Sequence, residues 1–196
     1  MSQPLHILAV IGSMNQNSVT RTVLLELTAN LKAHGCEVEV VDFQKDPLPL
    51  YNPDVSHGLP GYGPLQKRVE KADVLLLGTP DYHGSMSSTI KSFLDHFWKE
   101  FAGKLFATVV ASHEKGLTVT DQLRTVARQC YAWSMPYGVS FKEDEDMKDG
   151  KPSAAFEKRL EMMARDISVY GRLLAAQRKA DLAGTDAGFM ARHRGK

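Results

Sequence analysis

The sequence predicts a doubly wound α/β domain, a five-stranded parallel sheet in the order 2-1-3-4-5 with helices on both faces, making three layers. Three observations predict it. Short apolar runs alternate with longer amphipathic stretches, the rhythm of strand–helix–strand units. The short runs are apolar at nearly every position, as in strands covered on both faces. Finally, a chain of 196 residues suits one domain, since domains take roughly 100–200 residues. A single core of that size buries around 70% of the extended chain's surface and needs no metal or disulfide to hold it.

Leu5–Ile11 is the first strand, apolar except at His6. Ser18–His34 follows as a helix, with Val19, Leu24, Leu27 and Leu31 at helical spacing and Gly35 to end it. Glu37–Asp42 alternates polar and β-branched residues, as a less buried strand does. Asp73–Thr79 and Leu105–Ala111 are dense apolar strands, and Tyr137–Phe141 is a short fifth one. Thr89–Phe97, Leu117–Tyr131 and Ser153–Asp181 are helices. The last has Phe156, Leu160, Met163, Ile167, Tyr170 and Leu174 on one stripe. Phe43–Pro64 carries five prolines and is too long for an ordinary connection, which marks it as functional or mobile. Lys142–Pro152 is charged and polar, the pattern of a solvated loop. The expected domain spans residues 1–182, with residues 183–196 as a flexible tail.

Lys and Arg number 24 against 23 Asp and Glu, a net charge of +1. That balance sets up no field for nucleic acid or an anionic membrane surface, so neither is expected as a partner. Cys36 and Cys130 form no Cys-x-x-Cys pair, and a reducing, cytoplasmic setting is the simplest expectation. The apolar run Leu5–Ile11 is too short for a signal peptide or a membrane span. No pair among the seven histidines has a metal-ligand spacing such as H-E-x-x-H, so no metal is expected. G-x-S-x-G is absent too, which removes a serine nucleophile elbow.

In open parallel sheets, ligands sit beyond the carboxyl ends of the strands, which selects three loops. The first, Gly12–Thr20, runs from a strand into a helix and is crowded with Ser13, Asn15, Ser18 and Thr20. Free amides and the helix dipole make such a terminus a phosphate site. The same composition also describes a plain helix N-cap. It is neither a Walker A loop nor G-x-G-x-x-G. The second, Gly78–Ser88, has a stiff Pro80, a Tyr82-His83 pair and Gly84, which allows close approach of a flat ligand. Its alternative is a loop that only turns the chain. The third, Ser112–Gly116, carries one Gly and a basic residue and is uninformative by itself.

Gly12-Ser-x-x-x-x-Ser-x-Thr-Arg21, followed by Gly78-Thr-Pro-x-Tyr-x-Gly-Ser85 and Ile90-Lys-x-x-Leu-Asp95, resembles the NAD(P)H-dependent FMN reductase family. That family is a flavodoxin-like three-layer sandwich and includes quinone, azo-dye and chromate reductases. The resemblance runs from Leu5 to about Phe141, and the proline-rich Asp46–Asp54 segment also looks like the family's loop after the second strand. It implies that Ser13, Asn15, Ser18, Val19 and Thr20 surround the FMN phosphate. It implies that Pro80, Asp81, Tyr82, His83, Gly84 and Ser85 border the isoalloxazine ring, with Ser112, His113, Lys115 and Gly116 at its pyrimidine side. Three features depart from the family pattern. Asn15 stands where a basic residue is common, Asp81 where Glu is usual, and Ser112–Gly116 is poorer in glycine. Arg21 either supplies the missing charge or points to solvent.

The resemblance further implies an enzyme in which NADPH or NADH gives a hydride to FMN. A quinone, free flavin or similar small acceptor then takes the same place, in ping-pong fashion. The hydride step needs no acid or base, so no catalytic side chain is expected. A homodimer or homotetramer is implied, with the aromatic-rich helix Phe93–Phe101 and the Pro47–Pro64 loop at the subunit contact. The alternatives are a flavodoxin-like electron carrier, against which the near-neutral charge argues, and a non-catalytic nucleotide sensor on the same fold.

Overall fold

The computed structural model describes residues 4–195; residues 1–3 and 196, the outer ends of the expected domain and tail, lie outside the described residues. In chain order the elements are β1 (Leu5–Ile11), α1 (Val19–Ala33), β2 (Cys36–Asp42), α2 (Tyr62–Lys71), β3 (Val74–Tyr82), β4 (Ser85–Met86), α3 (Ser88–His96) and β5 (Leu105–Ala111). Then come α4 (Leu117–Gln129), β6 (Trp133–Ser134), β7 (Val139–Phe141), α5 (Glu143–Asp146), β8 (Met147–Lys148), β9 (Lys151–Pro152) and α6 (Ala154–Ala183).

The sheet runs β2-β1-β3-β5-β6, with β7 continuing along β5 and β4 folded back on β3. With β4 set aside and β6 and β7 counted as one broken strand, this is the expected 2-1-3-4-5 order. These pairings are parallel, with Ile7 beside both Val38 and Val74, and Leu76 beside Ala107. The period-two alternation of strands divides the interior into two cores. Leu5, Ile7, Ala9 and Ile11 of β1 face Val23, Leu27 and Leu31 of α1 and Phe156, Leu160 and Ile167 of α6. Leu8 and Val10 face the other way, into Leu65 and Val69 of α2, Ile90 and Phe93 of α3, and Leu123 of α4.

Four sequence expectations need correction. The fifth strand, expected over Tyr137–Phe141, begins at Trp133 and is broken into β6 and β7. Phe106 pairs with Ser134 and Val109 with Val139, so three steps on β5 face five on its partner. The surplus residues bulge out around Pro136, which has no amide to donate to the ladder. Second, β3 runs past Thr79 to Tyr82 and includes Pro80. Its pairing with β1 stops at Gly78, so Pro80 sits where no amide is required on that side. Third, α2 adds a helix where the sequence shows no helical pattern, because Gly61, Gly63 and Pro64 at its start obscure a stripe of only Leu65 and Val69. Pro64 is tolerated because first-turn amides have no helical partner.

Fourth, Lys142–Pro152 is not an irregular loop: it holds α5 and the β8–β9 hairpin. Asp149 and Gly150 turn that hairpin with φ of 50° and 75°, the left-handed pair a tight two-residue turn needs. Within the expected tail, residues 184–188 are exposed, while residues 189–194 rest against the domain. Phe189–His193 form a short 3-10 helix with Met190 buried. Phe189 stacks on Tyr131 at 6.5 Å, and Arg192 covers the Tyr131 ring at 4.6 Å. Among the described residues no helix is long and apolar enough to cross a membrane.

Candidate functional site

The carboxyl ends of β1, β3 and β5 bring the three loops together. Ser87, the N-cap of α3, ties the first two: its hydroxyl donates to Gly12 O at 2.8 Å, and its amide donates to Thr79 Oγ1 at 2.9 Å. Gly12 is required here, since a Cβ would lie 2.1 Å from Ile90 Cγ1. Between the loops lies a cleft of about 200 Å³ lined by Ser13, Asn15, Asn17, Ser18, Val19, Thr20, Pro80, Asp81, Tyr82, Ala111, Ser112, His113 and Glu143.

The first loop is a helix N-terminus with donors to spare. Ser18 caps α1 by accepting from the Arg21 amide at 3.1 Å. Among the described residues the amides of Val19 and Thr20 find no hydrogen-bond partner, as expected of the opening residues of a helix. Ser13, Ser18 and Thr20 are buried, and Ser13 Oγ accepts from the Asn15 amide at 3.4 Å. Arg21 does neither of the things its position suggested. Its guanidinium turns back to Asp42 at the end of β2, with Nε at 2.8 Å from Oδ2 and Nη2 at 3.1 Å from Oδ1. It also donates to the carbonyls of Asn15 at 2.6 Å, Gln16 at 3.3 Å and Ser13 at 3.2 Å. Burial works against the Asp42 charge, yet hydrogen bonds from Arg21 and the Gln44 amide hold its carboxyl below the usual carboxylate range.

The second loop is a hairpin whose turn residues, His83 and Gly84, have φ of 57° and 76°. Asp81 stabilises the turn by accepting from Gly84 N at 2.8 Å, and its other oxygen accepts from Ser112 Oγ, also at 2.8 Å. Ser112 Oγ in turn accepts from the Glu114 amide at 3.1 Å, so one chain of bonds fixes the second and third loops together. Gln122 of α4 braces the hairpin from behind: Oε1 accepts from Ser85 Oγ and the Met86 amide, and Nε2 donates to Gly84 O.

A wider groove of about 1130 Å³ continues from the cleft past the shared residues Asp81, Ser112 and His113. His83, Gly84, Lys115 and Gly116 line it, as do Lys142, Glu145, Asp146 and Arg159. Gly116 opens α4 with φ of 58°, and a Cβ there would lie 2.7 Å from Ser140 Oγ. Thus ten of the expected residues line the cleft, and four more line the groove alone. Ser85 lines neither, because its hydroxyl is turned to Gln122 at 3.0 Å. Sequence reasoning missed the wall built by Lys142–Asp146 and Arg159. Arg159 reaches Asp146 Oδ1 at 3.1 Å and also donates to Ser140 O. Nothing in the local sequence links a residue of the last helix to the third strand end.

A parallel 2-1-3-4-5 sheet with helices on both faces, and a cleft beyond its strand ends, defines a protein of the flavodoxin-like class. Comparison with known proteins narrows this: residues 5–146 match the model for NADPH-dependent FMN reductases, and the chain belongs to that family. It is an NAD(P)H-dependent FMN oxidoreductase, with FMN as its cofactor. Among curated proteins, the FMN-dependent NADPH-azoreductase of Staphylococcus aureus is 27% identical over 150 residues, covering 72% of this chain and 79% of that one. Among solved structures, FerB, an NAD(P)H:(acceptor) oxidoreductase from Paracoccus denitrificans, is similar with a TM-score of 0.69 at 18% identity, covering 88% of this chain and 98% of that one. A flavodoxin from the domain Archaea is similar with a TM-score of 0.60 at 12% identity, covering 86% and 99%.

Proposed function

We propose that the enzyme passes reducing equivalents from NADPH or NADH, through FMN, to a small acceptor such as a quinone, a free flavin or an azo compound. The two half-reactions alternate in one groove. The observation that carries this reading is the continuity of the donor-lined cleft with a much larger open groove. One end is sized and furnished for a phosphate, and the other leaves room for a flat second reactant.

FMN, when bound, supplies the hydride and electron transfer, and the protein positions it. The hydroxyls of Ser13, Ser18 and Thr20 and the amides of Val19 and Thr20 hold the phosphate. Asn15 borders it without charge. Pro80, Asp81, Tyr82, His83 and Gly84 border the ring, with Asp81 held rigid by its bonds to Gly84 and Ser112. Ser112, His113, Lys115 and Gly116 would close the other side, where fixed main-chain dipoles would favour an electron-rich ring. Ser85 acts through the hairpin brace rather than by contact. No side chain has to move a proton in the hydride step, so none is named catalytic. Initial rates at several fixed concentrations of a soluble quinone test the alternation. Double-reciprocal lines against NADPH are expected to be parallel, and lines that intersect contradict it.

The same reading includes a homodimer or homotetramer in the cytoplasm. Its support is the exposed Trp98 beyond α3 and Leu50 in the proline-rich segment. That segment is pinned to α3 by Ser92, whose hydroxyl donates to Pro49 O and accepts from the Tyr51 amide. Light scattering of the wild type is expected to give at least twice the chain mass, and of a Trp98→Glu variant less.

A further inference from the structure

We propose that Arg21 and Asp42 are a positioning pair for the flavin phosphate: they hold the Ser13–Ser18 backbone in its binding shape while the guanidinium itself stays off the anion. The inference rests on the reading that the phosphate sits on this loop. It goes further by assigning recognition to neutral donors and a purely organising role to the nearest cation.

The geometry carries it. The guanidinium is a rigid fork, and here each arm is engaged: two bonds go to Asp42 and three to the carbonyls of Ser13, Asn15 and Gln16. The Arg21 and Asp42 side chains are only 13% and 9% exposed. In a planar trans peptide the carbonyl and the following amide point to opposite sides. Drawing the Ser13 and Asn15 carbonyls to Arg21 therefore turns the Met14 and Gln16 amides away from it, and among the described residues neither amide has a hydrogen-bond partner. Asp42 makes the arrangement possible. It offsets the arginine's charge, and its own place is fixed by the amides of Gln44, Lys45 and Asp46, which donate to its side chain or carbonyl. A lysine in place of Arg21 keeps the charge but cannot span three carbonyls and a carboxylate.

The test is the affinity of the flavin-free protein for FMN and for riboflavin, read by flavin fluorescence in wild type, Arg21→Lys, Arg21→Met and Asp42→Asn. Wild type is expected to prefer FMN. Arg21→Lys and Arg21→Met are expected to lose FMN affinity alike, by about tenfold or more, with riboflavin affinity changed by less than about twofold. Asp42→Asn, the mildest change, is expected to shift the FMN-to-riboflavin ratio in the same direction. Retention of FMN affinity in Arg21→Lys alone would show that charge, not shape, is what the phosphate requires, and would overturn the proposal. Equal losses for FMN and riboflavin overturn it as well, since they mark general damage. A wild type that binds riboflavin as well as FMN overturns the phosphate reading itself, a result distinct from the other two.

Discussion

Lys104 lies fully buried at the start of β5, and its ammonium donates to the carbonyls of Val69 and Glu70 at the end of α2. Burial, with Arg178 adding to it, pushes its pKa down to about 7. Above that pH the unfolded chain keeps a proton that the folded chain has released. Stability should therefore rise with pH from about 7 towards the ordinary lysine range, by up to about 1.4 kcal/mol per pH unit. Below that window both states are protonated and the slope vanishes. Urea unfolding of Lys104→Met from pH 6 to 10 is expected to lack the rise; an unchanged rise would assign it to another group. Asn15 offers a second test at this scale, since it lines the cleft and the nearby Arg21 charge is already spent. Asn15→Arg should tighten FMN by about 1–3 kcal/mol and leave riboflavin unaffected, as measured by the same fluorescence titration. Sequence reasoning found Asn15 and the Ser18 cap because both are local signals. It left Arg21 open because its partner Asp42 is 21 residues away, and only the pairing of β2 with β1 brings them together.

Two glycines in the site loops separate strain from space. Gly84 turns the β3–β4 hairpin with φ of 76°, but a Cβ there meets nothing within 4 Å. Gly84→Ala should cost only the left-handed backbone penalty, about 1–2 kcal/mol. At Gly12 a Cβ would meet Ile90 Cγ1 at 2.1 Å, so Gly12→Ala must push β1's loop and α3 apart. Its urea midpoint is expected to fall further than that of Gly84→Ala, and the reverse order would contradict the loop packing described. The elements that escaped sequence reading share a physical cause. α2 buries a stripe of two residues and opens with Gly and Pro, while β8–β9 is a hairpin of two-residue strands, too short for a periodic pattern. The Asp149-Gly150 turn was a legible signal of that hairpin. The long strands and helices were legible because each buries a full apolar face.

At the scale of the whole molecule, the strand order determines the site. Alternating strands and helices force a parallel sheet, and the placement of β1 between β2 and β3 puts the Gly12–Thr20 loop beside the β3 hairpin. Ten of the expected site residues meet in one cleft for that reason. The far wall of the groove depends instead on α5 and on Arg159 of α6, and Arg159 lies beyond the 5–146 segment matched by the family. That wall is where this chain departs most from what its motifs could convey. The proposed function requires one site that binds FMN and brings a nicotinamide hydride to it. It is tested by the visible spectrum of the protein with equimolar FMN, free of oxygen, before and after NADPH and then NADH are added. A flavin that travels with the protein on gel filtration and bleaches within seconds is expected. A bound flavin that stays yellow with both NADPH and NADH would contradict the account.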